Sequence, residues 1–151
     1  MMLRKWMVFA LSAGVMLAVA GATFSADDEE SELEKVMEKV NKNSNAIKQG
    51  TRNLVNFQKK QKDVAKASKE LVKLAKQSKP LKDALGKAKN EANPQQKWNE
   101  LMDIFISQSE KLSDLAGKSE PSYDDTKKAF SAVSKTCAEC HRVFRVDDEN
   151  F

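Results

Sequence analysis

Apolar side chains recur along most of this chain every three or four residues, the spacing that gathers them on one face of an α-helix. Leu33, Val36, Met37, Val40 and Ile47 set the pattern from about Ser31 to Asn53. Asn41, Asn43 and Asn45 are weak helix formers inside that stretch, and Gly50 marks a bend or an end. Val64, Ala67, Leu71, Leu74 and Ala75 repeat the pattern from about Gln58 to Ser78, where Pro80 stops it. Trp98, Leu101, Met102, Phe105, Leu112 and Leu115 share a face up to about Ala116, with Asn93 placed to cap the helix and Pro94 at its first position. A fourth helix, opened by Pro121 and favoured by Asp124 and Asp125 near its N-terminus, carries a stripe of Phe130, Val133, Cys137, Cys140, His141 and Phe144. The links are a polar connection from Pro80 to Pro94, with room for a turn of helix, and a turn from Gly117 to Asp125. Glycine and proline are scarce, β-branched runs are absent, and no internal repeat is evident. The pattern predicts an all-α fold, an antiparallel four-helix bundle whose core is these stripes.

The N-terminus breaks this pattern. Arg4 and Lys5 precede an apolar run from Trp6 to Ala22, and Ala20-Gly21-Ala22 has the small residues of a cleavage site. Residues 1–26 therefore read as a secretory signal peptide, cut between about 22 and 26, ahead of one domain over 27–151. Left uncleaved, the run is long enough for a marginal membrane span. The expectation is export, to a bacterial periplasm, with no stable membrane anchor once the segment is removed. About 125 residues then remain, enough for one domain with one core. Cleavage takes two of the 26 basic residues and none of the 22 acidic ones, so the net charge of +4 falls by two and the pI of about 9.0 overstates the basic character. No cluster of basic residues interleaved with aromatics stands out, which argues against nucleic acid as a partner.

Both cysteines, Cys137 and Cys140, and the single histidine, His141, lie together in "SKTCAECHRVFR". Three chemistries use such residues. A structural zinc needs four ligands, and this chain offers three cysteine or histidine side chains on adjacent turns. An exported pair of cysteines can be a disulfide or a redox dithiol, but the thioredoxin-like setting of strand then helix is missing here. The third chemistry is covalent haem, for which C-x-x-C-H is the attachment signature. Two thiols three residues apart on one helical face can reach the two vinyl groups of a porphyrin, and His141 on the same face can lie under the iron as proximal ligand. This reading accounts for all three residues and implies one covalently bound haem c per chain.

At these residues the chain resembles the class II cytochromes c, that is cytochrome c-prime and its low-spin, six-coordinate relatives. Their haem motif sits near the C-terminus, on the last helix of a four-helix bundle, whereas most small cytochromes c carry it near the N-terminus. "DDTKKAFSAVSKTCAECHRVFR" resembles the family's fourth helix, "WNELMDIFISQSEKLSDLA" its third and "VMEKVNKNSNAIKQG" its first. The resemblance implies covalent haem on the C-terminal helix and Met37 at the position that faces the iron from the first helix. One turn earlier, where the family often has an arginine, this chain has Leu33. After signal removal Met102 is the other methionine, and its stripe with Trp98 and Phe105 reads as packing. The family also implies that Arg145 lies beside the haem, able to pair with a propionate.

The function implied is electron transfer by a non-enzymatic carrier with His141 and Met37 as axial ligands, meeting redox partner proteins through transient contact. Two propionates would bring the mature net charge near zero. The alternative is a five-coordinate, cytochrome c-prime-like protein that binds nitric oxide or carbon monoxide. Cytochrome c-prime relatives are often homodimers through the first two helices, and low-spin relatives are often monomers.

Overall fold

The structure, a computed structural model, describes residues 30–145. The expected signal peptide lies outside the described residues. Helix α1 spans Glu32–Gly50, α2 Leu54–Ser78, α3 Pro94–Ala116 and α4 Tyr123–Phe144, with one 3-10 turn at Leu85–Lys87 between α2 and α3. Among the described residues no helix is long and apolar enough to cross a membrane.

Each of the four α-helices begins on a side chain that accepts from one of its free N–H groups. Ser31 opens α1 with a capping box: its hydroxyl accepts from the Glu34 N–H, and the Glu34 carboxylate accepts from the Ser31 N–H. Asn53 caps α2 by accepting from the Asn56 N–H at 2.8 Å, and Asn93 caps α3 from the Gln96 N–H with Pro94 as its first residue. Ser122 caps α4, accepting from the Asp125 N–H at 3.2 Å.

The observed helix ends correct three expected boundaries. Helix α2 begins at Leu54 rather than about Gln58, because the Asn53 carboxamide supplies an acceptor there, and α1 stops at Gly50 rather than Asn53. Pro121 does not open α4; it precedes the Ser122 cap, which does. The early turn between α1 and α2 depends on Gly50, where a Cβ would come 2.3 Å from Val64 Cγ2. The missing side chain lets the end of α1 close onto α2.

The helices pack in sequence, α1 on α2, α2 on α3 and α3 on α4. Ile47, Val64, Leu71, Leu112 and Val133 have no exposed surface and form the centre of the core. Phe57 meets Tyr123 at 5.7 Å between ring centres, fastening the start of α2 to the start of α4. The fourth side of the bundle is different. α1 and α4 would close the ring, yet any contact between them is far slighter than the packing of the three sequential pairs.

Long-range hydrogen bonds from the connecting segment bridge this open side. Asp83 accepts from the Leu33 N–H at 3.4 Å, in the first turn of α1. The Lys89 N–H donates to the Val143 carbonyl at 2.8 Å, in the last turn of α4. The Trp98 indole N–H donates to the Lys79 carbonyl at 3.0 Å, and its ring meets Phe144 edge-on at 5.2 Å.

Candidate functional site

The space between α1 and α4 is a cavity of about 950 Å³. Helix α1 supplies one wall through Leu33, Met37, Val40 and Ser44, at offsets of four, three and four residues, a single face of that helix. Helix α4 supplies the opposite wall through Cys137, Cys140, His141 and Phe144. Trp98, Met102 and Phe105 of α3 form the floor, and Asp83, Ala84 and Lys87 of the connecting segment close one end. Glu34 and Glu38 also line it, as does Arg145. Helix α2 contributes nothing to it.

All five side chains singled out in the sequence, Met37, Cys137, Cys140, His141 and Arg145, line this cavity. Their exposure is uneven. Met37, Cys137 and Cys140 are half-buried, whereas His141 and Arg145 reach solvent. The six-residue stripe expected on α4 is thereby split: Val133 and Phe144 are buried, Phe130 is half-buried and does not line the cavity. Thr126, Ala129, Thr136 and Val143 are the other buried residues of this helix. A helix at 3.6 residues per turn drifts away from a repeat of three and four, so its inward face rotates along its length.

The thiols of Cys137 and Cys140 are free. Burial pushes both above their ordinary value, and Cys140 is pushed to about 11 by burial and by the neighbouring Cys137. Both are neutral thiols near pH 7. A redox dithiol or a reactive cysteine relies on a lowered value, so these thiols are poorly placed for exchange chemistry. Among the described residues, no group of three histidine, cysteine or acidic side chains is arranged to hold a metal ion, which removes the support for a zinc site.

His141 is held below its ordinary value, first by partial desolvation and then by the charge of Arg145. Its imidazole is neutral at pH 7 and keeps a ring nitrogen lone pair available as a ligand. Both methionines of the described residues face the same space, and Met102, only 2% exposed, does so from the core itself.

Sequence reasoning missed two parts of the site. The stripe of Met102, expected to be packing, is both core and cavity floor. The connection from Pro80 to Pro94, polar in its overall pattern, closes one end of the cavity. Leu81, Ala84, Leu85 and Ala88, spaced by three, one and three, carried the signal for an inward face there, and all four pack against the core.

A family model described as Cytochrome C' matches residues 34–145, a span that includes all five of these side chains. No curated protein and no solved structure matches the chain.

Proposed function

From the premise that the chain belongs to the cytochrome c' family, we propose that it is an exported electron carrier with one haem c held between α1 and α4. Membership of that family implies haem binding. The finer assignments rest on one observation: a single cavity is lined by two free thiols, a neutral imidazole and a thioether sulfur from opposite walls. The fit is chemical as well as spatial. A space of about 950 Å³ is at the upper end of ordinary ligand pockets, about 300–1,000 Å³.

Cys137 and Cys140 would hold the group by thioether bonds, for which a neutral thiol adds across a vinyl group. His141 would supply an Nε2 or Nδ1 lone pair from α4, and Met37 a neutral sulfur from α1. Leu33, Val40, Trp98 and Phe105 give the space an apolar part of its lining, against which the face of a porphyrin would pack. Arg145 stands at the same cavity as a cation suited to a carboxylate of the bound group. When bound, haem supplies a one-electron couple whose potential methionine and histidine ligation raises. If His141 and Met37 both held the iron, no coordination site would be left for a substrate, so the reading is a carrier rather than an enzyme. Its partners are redox proteins met transiently on the exported side of the membrane.

The test is an absorption spectrum of protein made in a host with haem-attachment machinery. A low-spin spectrum with a methionine-to-iron charge-transfer band supports this reading. A high-spin spectrum moves the protein to the gas-binding alternative, and the lack of a Soret band refutes haem altogether.

A further inference from the structure

Helix α2 carries a row of six lysines, Lys59, Lys62, Lys66, Lys69, Lys73 and Lys76, spaced alternately by three and four residues. That spacing puts all six on one face, over about 25 Å at 1.5 Å per residue. All are exposed, on the side of α2 opposite Val64, Leu71 and Ala75, which it buries. Lys73 pairs with Glu70 on the same helix, and Lys76 with Glu110 of α3. Among the described residues, Lys59, Lys62, Lys66 and Lys69 have no ion-pair partner. Asp63 and Glu70 flank the row rather than interrupt it.

The row is headed by apolar surface. Val55, four residues before Lys59 and on the same face, is 58% exposed, and its neighbour Leu54 is 51% exposed. These are the two most exposed large apolar side chains of the described residues.

We propose that this face of α2 is a docking surface for an anionic lipid bilayer, on which the protein rests reversibly with its cavity turned away. Three observations select this occupant. Protein interfaces depend on aromatic and arginine anchors in pockets, and this face has neither. Lysine is a compact hydrated point charge, suited to a diffuse anionic surface rather than to bidentate pairing. Val55 and Leu54 give such a surface two apolar side chains to take into its interfacial layer. The helix order adds a fourth reason. α2 stands diagonally across the bundle from α4 and lines none of the cavity, so a redox partner seated here would be on the far side from any bound cofactor. A second copy related by two-fold symmetry would set one lysine row against another.

The proposal does not depend on haem, and its test reads partition rather than redox activity. Protein purified from the export compartment is sedimented at low salt with phosphatidylcholine vesicles that contain phosphatidylglycerol. It should bind these and not pure phosphatidylcholine, and raised salt should release it, since exposed charges are screened beyond about 10 Å at 0.1 M. A variant carrying Lys59→Gln, Lys62→Gln, Lys66→Gln and Lys69→Gln should lose at least about a hundredfold in partition, at about fivefold per lysine. A control with the same charge change, Lys35→Gln, Lys42→Gln, Lys111→Gln and Lys128→Gln, should keep most of its binding. Circular dichroism checks that both stay helical. If the first does not, Lys66→Gln alone replaces it, with an expected loss of about fivefold. Equal losses in the two variants, or no binding by the native protein, overturn the proposal. Capture by immobilised polyglutamate without vesicle binding assigns the face to an acidic protein instead.

Discussion

The side chains of the site were largely legible because their chemistry is rare in this chain. Two cysteines and one histidine within five residues leave few arrangements, and all three line one cavity. Methionine is harder to read, since an apolar stripe gives core and cavity floor the same signature. Both Met37 and Met102 face the space, and they are told apart by the resemblance and by the stripe that Met102 shares with Trp98 and Phe105. Replacement by leucine separates them in solution, because such a swap costs under about 1.5 kcal/mol in a core. Met37→Leu should leave the bundle folded while the haem protein becomes high-spin and binds carbon monoxide when reduced. Met102→Leu should leave the low-spin spectrum nearly unchanged, and the reverse pattern would move the ligand to α3. At the opposite wall, His141→Ala should abolish the native spectrum or prevent maturation, since the chain has no second imidazole. A smaller residue-scale effect concerns Glu34, held below its ordinary value chiefly by the Ser31 N–H in the capping box. A lowered carboxylate stabilises the fold above its unfolded value and loses that contribution as pH falls through the folded one. Ser31→Ala, which removes the cap hydroxyl and disrupts the box, should move the Glu34 titration upward in an NMR pH series.

The four helices were legible from periodicity, but their junctions were not. The expected start of α2 at Gln58 passed over Phe57, which stands one heptad before Val64 and two before Leu71 and is buried with them. The stripe therefore continues toward Asn53, whose cap fixes the start. The segment between α2 and α3 was opaque for another reason. Its anchors to Leu33 and Val143 join residues far apart in sequence, which no local pattern reports. The α1–α2 junction offers a direct test, because its tightness rests on one missing side chain. Gly50→Ala would place a Cβ 2.3 Å from Val64 Cγ2, so the Val64 side chain or one of the two helices must shift. Overpacking of this kind costs about 1–3 kcal/mol, and urea unfolding should show a loss in that range. Gly86→Ala, in the 3-10 turn, meets nothing within 4 Å and should leave stability close to native. Equal midpoints for the two variants would mean that the junction yields without strain.

At the scale of the whole molecule, the fold joins a closed three-sided core to an open fourth side. α2 and α3 are buried against each other and hold Val64, Leu71 and Leu112 without exposed surface. The first turns of α1 and the last turns of α4 have no such mutual packing, and the connecting segment reaches the backbone of each through one hydrogen bond, from the Asp83 side chain and from the Lys89 N–H. A group bound between them would replace the missing contact. Anything that binds the folded state and not the unfolded one stabilises it, but here the gain should be local. Protein made without haem attachment should keep slow amide exchange in α2 and α3 while exchange quickens from Leu33 to Asn41 and from Cys137 to Phe144. An acceleration of at least about tenfold, against little change in the core helices, would mark opening of one cooperative unit. Hydrogen exchange read by mass spectrometry resolves these segments. Uniform acceleration across all four helices would show instead that the cofactor supports the entire bundle. No acceleration anywhere would show that α1 and α4 hold their places without it.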